Sequence, residues 1–256
     1  MPSGECGTLH AVPIPRVHLN APLAAGSTLA LPGAAVRHVQ VLRLQPGDKL
    51  TLFDGRGGEW SAKVSSMGRS QVTVEVIAHH AIERELGCEV IMALGMPAND
   101  RMDLLVEKAG ELGAAALQPL VTARSVLRPA GERAERRRAH WQAVAEAACE
   151  QCGRNRVPEV APVRTLRDWL RDLPEPAADE VRLLLGFAPD ARALPQAAAG
   201  ARRLWLLSGP EGGLSAEEEH AARERGFVPV TLGARVLRAD TAPLAALAWV
   251  ALQDAA

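Results

Sequence analysis

The sequence lacks any apolar stretch long enough to cross a membrane. No run approaches the roughly 18 consecutive apolar residues that a transmembrane helix needs. Residues 1–19 also lack the basic stretch and apolar block of a secretory signal. The composition, with 48% hydrophobic and 23% charged residues, is that of an ordinary globular protein. We therefore expect a cytoplasmic protein with no membrane partner.

Cysteine is scarce, with four residues in 256. Cys149 and Cys152 form a C-x-x-C pair inside the helical stretch HWQAVAEAACEQCG, whereas redox pairs of this spacing usually follow a strand. A zinc site would need two further ligands, and Cys6 and Cys88 are distant in sequence. We predict no metal site and two helix cysteines without a special role.

Neither of the common glycine-rich phosphate motifs is present. The chain contains no G-x-G-x-x-G and no G-x-x-x-x-G-K-S/T, which counts against a dinucleotide-dependent oxidoreductase. A different glycine-rich segment, Pro210-Glu211-Gly212-Gly213, separates an apolar run from a helical one. Because its carboxylate would repel a phosphate, the ligand expected there is not a phosphate.

Positive charge is unevenly distributed. The net charge of -1 excludes a uniformly basic nucleic-acid-binding protein. Residues 124–171 nevertheless hold eleven arginines against six acidic residues, many of them in RPAGERAERRRAHW. Two interpretations stay open for this segment, an RNA-contacting patch or a solvated helix face in an arginine-rich chain.

The chain is predicted to fold as two domains. Residues 1–84 favour a small β-barrel, because alternating strand candidates at Lys49–Phe53, Glu59–Ser65 and Gln71–Ile77 are separated by glycine-rich turns. The segment 78–86 is the expected linker. Residues 88–256 alternate strand-like and helix-like segments, which is typical of an α/β domain with a mostly parallel sheet and helices on both faces.

The Pro210–Gly213 segment is expected at the carboxyl edge of this sheet, where α/β proteins bind ligands. Trp205–Leu207 ends an apolar strand, and Ser215 with Glu218 forms a capping box that starts the next helix. Gly212 and Gly213 permit close approach of a ligand to the backbone. The alternative is a tight turn without a ligand.

Four motifs occur in a fixed order, DRMDLLVEKAGELG, HWQAVAEAACEQCGRNRVPEV, LSGPEGGLSAEE and VTLGARVLRADTAPLAALAWVAL. Together they resemble the RsmE family of ribosomal RNA methyltransferases, of the SPOUT class. The stretch VRHVQVLRLQPGDKLTLFDGRGGEW is similar to that family's PUA-like RNA-binding domain. The resemblance implies a homodimer with a C-terminal trefoil knot that binds S-adenosylmethionine and methylates N3 of a uridine in 16S ribosomal RNA, without a metal.

The resemblance also implies which residues bind and act. The knot loops carry the expected donor-binding residues, namely Leu185, Gly186, Gly209, Glu211, Gly212, Gly213, Leu232, Gly233, Val236 and Leu237. The candidate catalytic residues are cations that stabilise charge on uracil O2 or O4 and carboxylates that remove the N3 proton: Arg238, Arg154, Asp240 and Glu150. The expected RNA contacts are Arg16, Arg37, His38, Arg43, Arg56, Arg124 and Arg128.

Several alternatives stay open for these residues. The family usually has Glu where this chain has Asp240, which either acts as a base or caps the last helix. Arg154 follows Gly153 and either stabilises charge or belongs to a helix cap. A catalytically inert RNA-binding or ribosome-assembly factor would keep the same fold, and only a methyl-transfer assay separates it from an enzyme.

Overall fold

The computed structural model describes residues 14–98 and 101–254. The chain divides into two compact units with the boundary between Ile82 and Glu83. The last strand of the smaller unit extends further than the sequence indicates, since it continues to His80. Residues 78–80, predicted to begin a linker, are therefore part of the sheet.

The smaller unit is a five-stranded sheet with one helix. Its strands lie in the order β1-β3-β4-β5-β2, and β1 pairs with β3 in parallel while the other pairs are antiparallel. Val72, Val74 and Val76 alternate towards the core, as the period of a half-buried strand requires. The elements are β1 Arg16–His18, β2 Thr28–Ala30, α1 Gly33–Val41, β3 Lys49–Phe53, β4 Glu59–Met67 and β5 Val72–His80.

The larger unit is an eight-stranded sheet with the order β11-β13-β10-β12-β6-β7-β8, and β9 also pairs with β7. All of its strand pairs are parallel, which confirms the predicted sheet type. The elements are β6 Glu89–Gly95, α2 Arg101–Glu111, β7 Ala116–Val121, α3 Glu132–Cys152, β8 Glu159–Val160, β9 Arg164–Thr165, α4 Leu166–Asp172, β10 Glu180–Leu185, β11 Arg192–Ala193, α5 Leu194–Ala197, β12 Arg203–Ser208, α6 Ala216–Glu224, β13 Phe227–Thr231 and α7 Thr241–Asp254.

Helices cover both faces of the larger sheet. Met92 and Leu94 of β6 pack in one core cluster with residues of α2, α3 and α7. Ala93, between them, packs in a second cluster with residues of α4 and α6. Successive residues of a strand point to opposite faces, so the two clusters are the two sides of one central sheet. The continuous apolar run of β6 follows from this burial on both sides.

Two helix ends follow the sequence closely. The Ser215 side chain accepts from the backbone N–H of Glu218, and the Glu218 carboxylate accepts from Ser215 N–H, which confirms the predicted capping box. Gly153 ends α3 in the left-handed region with φ of 90°, as a C-terminal glycine allows. The sequence did not indicate α4 or β13.

Strand order brings three loops to one edge of the sheet. β10 lies between β13 and β12, although β13 comes last in the chain. The segments that follow these three parallel strands therefore leave the sheet side by side. The trefoil knot that the family resemblance implies for these segments stays a prediction.

A buried ion pair at the other end of β10 gives a test of this packing. The Arg182 side chain is 1% exposed and pairs with Glu180 at 2.6 Å, while its remaining donors meet the carbonyls of Arg225 and Pro174 at 2.8 and 2.7 Å. We expect Arg182→Ala to lower the free energy of unfolding by about 3–5 kcal/mol, because it leaves a buried carboxylate unpaired. Urea unfolding measures the change.

Arg203→Ala is the matched control for that variant. Arg203 pairs with Glu89 at the protein surface, with side chains 45% and 44% exposed, and exposed pairs contribute about 0–1 kcal/mol. An equally small loss in Arg182→Ala would contradict a structural role for the buried pair.

Candidate functional site

A cleft of about 490 Å³ lies at the carboxyl ends of β13, β10 and β12. The three loops that follow these strands line it, together with Arg124 from the β7–α3 loop and Glu219 from α6. Ligands of open α/β sheets bind at this edge, and the volume is that of a small-molecule site. The fold therefore places a ligand-sized cleft where the sequence indicates one.

Nine of the ten residues predicted to bind a small ligand line this cleft. The exception is Gly233, whose backbone N–H donates to the Thr231 hydroxyl at 3.3 Å while its φ of 107° turns the chain after β13. Binding by the nine residues stays a prediction. Phe187 and Arg235 also line the cleft; the sequence signal for them was only their position beside Gly186 and Val236.

The glycines of the β12–α6 loop make room for the protein itself. A Cβ on Gly209 would lie 2.7 Å from the Gly213 carbonyl carbon and 2.8 Å from the Leu214 nitrogen. A Cβ on Gly212 would lie 3.1 Å from Cβ of Arg124. A side chain at Gly212 would therefore meet Arg124, and the expected close approach of a ligand to the Gly212 backbone stays a prediction. Gly213 has φ of 70°, which favours glycine directly.

Glu211 connects this loop to the segment before α2. Its carboxylate accepts from the backbone N–H of Ala98 at 3.0 Å and lies 3.6 Å from a guanidinium nitrogen of Arg101. From the sequence we expect this carboxylate to meet a ligand, but in the structure protein groups already meet its charge. Glu211 lines the cleft and holds its wall in place.

Arg124 and Arg128, both expected to contact RNA, hold the β7–α3 loop beside the cleft. Arg124 donates to the Gly212 carbonyl at 2.7 Å. The Arg128 guanidinium donates to the carbonyls of Ser125, Thr122 and Ala123 at 3.0, 3.1 and 2.6 Å. Arg128 thus acts on its own loop, and the structure gives no support to the RNA contact predicted for it.

Two further arginines stand at the rim of the cleft. Arg235 and Arg238 are exposed and line it, and within residues 14–98 and 101–254 neither guanidinium has a hydrogen-bond or ion-pair partner. The Arg238 carbonyl accepts from the N–H groups of Thr241 and Ala242, which begins α7. Asp240 is half-buried and accepts from the Thr241 hydroxyl at 3.4 Å. The catalytic and capping interpretations of Asp240 both stay predictions.

Arg154 is not a site residue of this cleft. It is 3% exposed, its guanidinium donates to the carbonyls of Gly110 and Ala114 at 2.8 and 3.0 Å, and it pairs with Glu85. Glu85 and Ala114 precede β6 and β7, whereas the cleft follows strands parallel to them. A strand of six residues spans roughly 20 Å, so the fold of one chain does not place Arg154 at the cleft and gives no support to the catalytic role predicted for it.

Glu150 also lies away from the cleft, because it is one helical turn before Arg154 at the end of α3. It is half-buried and is absent from the described lining of the cleft. Its predicted role as a base at the cleft is therefore not supported by the fold of one chain.

The predicted RNA contacts of the smaller unit fall into two groups. The Arg16 side chain is 13% exposed, pairs with Glu59 at 2.8 Å and lies over the Phe53 ring, so the structure contradicts a phosphate contact for it. The others remain accessible, with three exposed arginines and one half-buried histidine: Arg37, Arg43, Arg56 and His38.

The described part of the chain holds no group of three or more histidine, cysteine or acidic residues that could bind a metal ion. Cys149 is buried and Cys152 is half-buried, and both are free thiols. None of the described helices is long and apolar enough to cross a bilayer.

The comparisons with known proteins agree in sequence and in fold. Residues 84–251 match the RNA methyltransferase domain family and residues 31–77 match the RNA methyltransferase PUA domain family. Ribosomal RNA small subunit methyltransferase E of Bacillus subtilis is 31% identical over 235 residues, which is 88% of this chain and 90% of that protein. This chain belongs to that family.

Solved relatives share the fold over nearly the whole chain. The structure of ribosomal RNA small subunit methyltransferase E from Neisseria gonorrhoeae bound to S-adenosylmethionine is 35% identical, with a TM-score of 0.86, and covers 94% of this chain and 98% of its own. The putative methyltransferase Lpg2936 from Legionella pneumophila, in complex with the same cofactor, has a TM-score of 0.88 at 31% identity over 94% and 98%.

The packing of the β12–α6 loop gives a second test. We expect Gly209→Ala to lower the free energy of unfolding by about 1–3 kcal/mol, because its methyl group would overlap the Gly213 backbone. Gly186→Ala is the control, since a Cβ there meets no atom within 4 Å, and it should change stability by less than about 0.5 kcal/mol. Equal urea midpoints for the two variants would show that the loop absorbs the methyl group.

The cysteine pair gives a third test. The neighbouring Cys149 side chain lowers the pKa of the Cys152 thiol to about 6, so a larger share of this thiol is ionised at neutral pH than of an ordinary cysteine. We expect iodoacetamide at pH 7.5 to alkylate Cys152 several times faster than half-buried Cys88. Cys149→Ala removes this neighbour and should slow the reaction. An unchanged alkylation rate at Cys152 in this variant would exclude Cys149 as the cause.

Proposed function

We propose that this protein transfers a methyl group from S-adenosylmethionine to N3 of a uridine in 16S ribosomal RNA of the small subunit. The observation that carries the proposal is one cleft at the carboxyl edge of the sheet, lined by nine of the residues assigned to the donor. It occurs in a chain whose curated relatives are ribosomal RNA small subunit methyltransferases.

The cleft suits a sulfonium nucleoside. Leu185, Leu232 and Leu237 line it with apolar surface, and the glycine-rich backbone offers N–H and carbonyl groups to the adenine edge. Arg124, the cation fixed in its wall, is held on the Gly212 carbonyl. When bound, the donor supplies a methyl group on a positively charged sulfur.

The protein must also stabilise the negative charge that develops on the acceptor base. N3 of uracil is protonated at neutral pH, and removal of this proton spreads negative charge onto O2 and O4. Arg238 has unengaged donors at the rim of the cleft, and its planar guanidinium can meet such charge with two N–H groups. Asp240, two residues further on, is the candidate acceptor for the proton.

RNA binding is assigned to exposed arginines on both units. Arg37, Arg43 and Arg56 are exposed in the PUA unit, and Arg133 and Arg136 are exposed on α3. Positioned guanidinium groups neutralise phosphates even when the whole chain is nearly uncharged. The base that accepts the methyl group must leave its stack, which requires such a grip on the flanking RNA.

A homodimer in the cytoplasm is the remaining part of the proposal. Leu104 of α2 and Leu252 of α7 are 44% and 70% exposed on helices that contact each other, and exposed leucines of this kind support a subunit interface. Sedimentation equilibrium of the full chain tests it, and a monomer at micromolar concentration would contradict it.

The activity itself is tested with labelled donor. Small ribosomal subunits from cells that lack this protein are incubated with the protein and labelled S-adenosylmethionine, and the modified nucleotide is mapped. Label on N3 of a single uridine is expected. Donor binding without any transfer would favour the inert ribosome-assembly factor instead.

Arg238 gives the sharpest test of the chemistry. We expect Arg238→Ala to lower kcat by about 10²–10³, the usual loss for one donor that stabilises transition-state charge. Donor affinity should stay nearly unchanged, because this contact develops with the charge. Arg238→Lys should recover only part of the rate, since a point charge replaces a planar fork.

Arg203→Ala at the opposite end of β12 is the control and should leave kcat unchanged. If Arg238 instead holds an RNA phosphate, the loss would appear in KM and would shrink at low salt. An unchanged kcat in Arg238→Ala would end the catalytic assignment.

A further inference from the structure

Phe187 is an exposed aromatic residue at the rim of the cleft. The chain has three phenylalanines, five tryptophans and no tyrosine, and all eight aromatic residues lie within residues 14–98 and 101–254. Of these, Phe187 is the exposed one, at 59%, while Phe53 and Phe227 are 0% and 2% exposed. A fold that buries its other phenylalanines leaves this ring in solvent without a packing reason.

A backbone hydrogen bond anchors the residue that precedes this ring. Gly186, directly before it, donates its N–H to the Val230 carbonyl at 3.0 Å, which continues the pairing of β10 with β13 to the edge of the sheet. Phe187 therefore starts its loop from an anchored residue. Its side chain lines the same cleft as Leu185 and Leu237.

The cleft that Phe187 lines also carries two available cations. Arg235 and Arg238 line the cleft with guanidinium groups that have no ion-pair partner in the described part of the chain. A flat apolar ring beside unpaired cations is the combination that binds single-stranded nucleic acid, with the ring stacking on a base and the cations meeting phosphates.

We infer that Phe187 is a stacking platform for the RNA base presented at the mouth of the cleft, and that Arg235 holds a neighbouring phosphate. The inference rests on the proposed function and assigns two positioning residues to it. An extruded base loses its stacking partners in the RNA, and an aromatic ring replaces them. A uracil held this way would present its N3 edge along the plane of the ring, towards the interior of the cleft.

Three substitutions of Phe187 separate stacking from simple apolar cover. Phe187→Ala removes the ring, Phe187→Leu keeps an apolar side chain without an aromatic face, and Phe187→Tyr keeps the face. We expect Ala and Leu to raise KM for unmodified small subunits roughly tenfold, in line with the free energy of one base–aromatic stack. Tyr should restore the wild-type KM, and the donor Kd from calorimetry should stay constant in all three.

Salt dependence distinguishes the second residue. In Arg235→Ala the slope of the logarithm of RNA affinity against the logarithm of salt concentration should fall by roughly 0.7–0.9, the value for one lost phosphate contact. The Phe187 variants should keep the wild-type slope. An unchanged slope in Arg235→Ala would overturn the phosphate assignment.

The donor affinity, the sedimentation coefficient and the KM of the Phe187 variants can each contradict the inference. A weaker donor Kd in Phe187→Ala would place the ring on the donor, and a changed sedimentation coefficient would place it in a subunit interface; either result overturns the inference. If the wild-type protein is active and Phe187→Ala leaves KM unchanged, the inference about Phe187 is wrong and the proposed function stands. If the wild-type protein binds donor but transfers no methyl group, the proposed function is wrong.

Discussion

The β12–α6 loop is held by contacts that leave no room for a side chain at its first glycine. Gly209 lies against the Gly213 and Leu214 backbone, and the loop is tied on one side by Glu211 to the Ala98 N–H and on the other by the Arg124 guanidinium to the Gly212 carbonyl. One wall of the cleft depends on these ties, since this loop forms it. Because this loop is already ordered, ligand binding does not carry the entropy cost of ordering its backbone.

The same region shows which features the sequence predicts well. The strand up to Leu207, the glycine turn and the capping box of Ser215 and Glu218 all depend on residues within about a dozen positions of one another, so local patterns predict them. The parallel sheet followed from the alternation of apolar runs and amphipathic helices. The position of the cleft then followed from where parallel strands end.

Contacts between distant segments were not predictable in this way. Gly212 meets Arg124, which is 88 positions away in sequence, and Arg154 meets Glu85, which is 69 positions away. A glycine that makes room for an arginine and one that makes room for a ligand look the same in the sequence. The sequence likewise does not show whether an arginine that follows a helix pairs with a buried carboxylate, and this buried pairing decides the role of the arginine.

The order of the strands in the sheet was also not predictable from local sequence patterns. β13 pairs with β10 and not with β12, its nearer neighbour in the chain, and this brings the 232–239 loop beside the other two loops. Without that pairing the cleft would lack Leu237, Arg235 and Arg238. The backbone pairing of one strand thus decides whether Arg235 and Arg238 stand at the rim of the cleft.

The arginines of the cleft divide into fixed and available ones. Arg124 donates to a protein carbonyl and therefore contributes shape, whereas Arg235 and Arg238 keep their donors for a ligand. A nearly neutral chain can bind a polyanion in this way, because affinity depends on cations placed at the phosphates and not on total charge. The apolar lining, the aromatic residue and the unpaired cations of the cleft are suited to a nucleoside, a stacked base and the negative charge of the RNA, respectively.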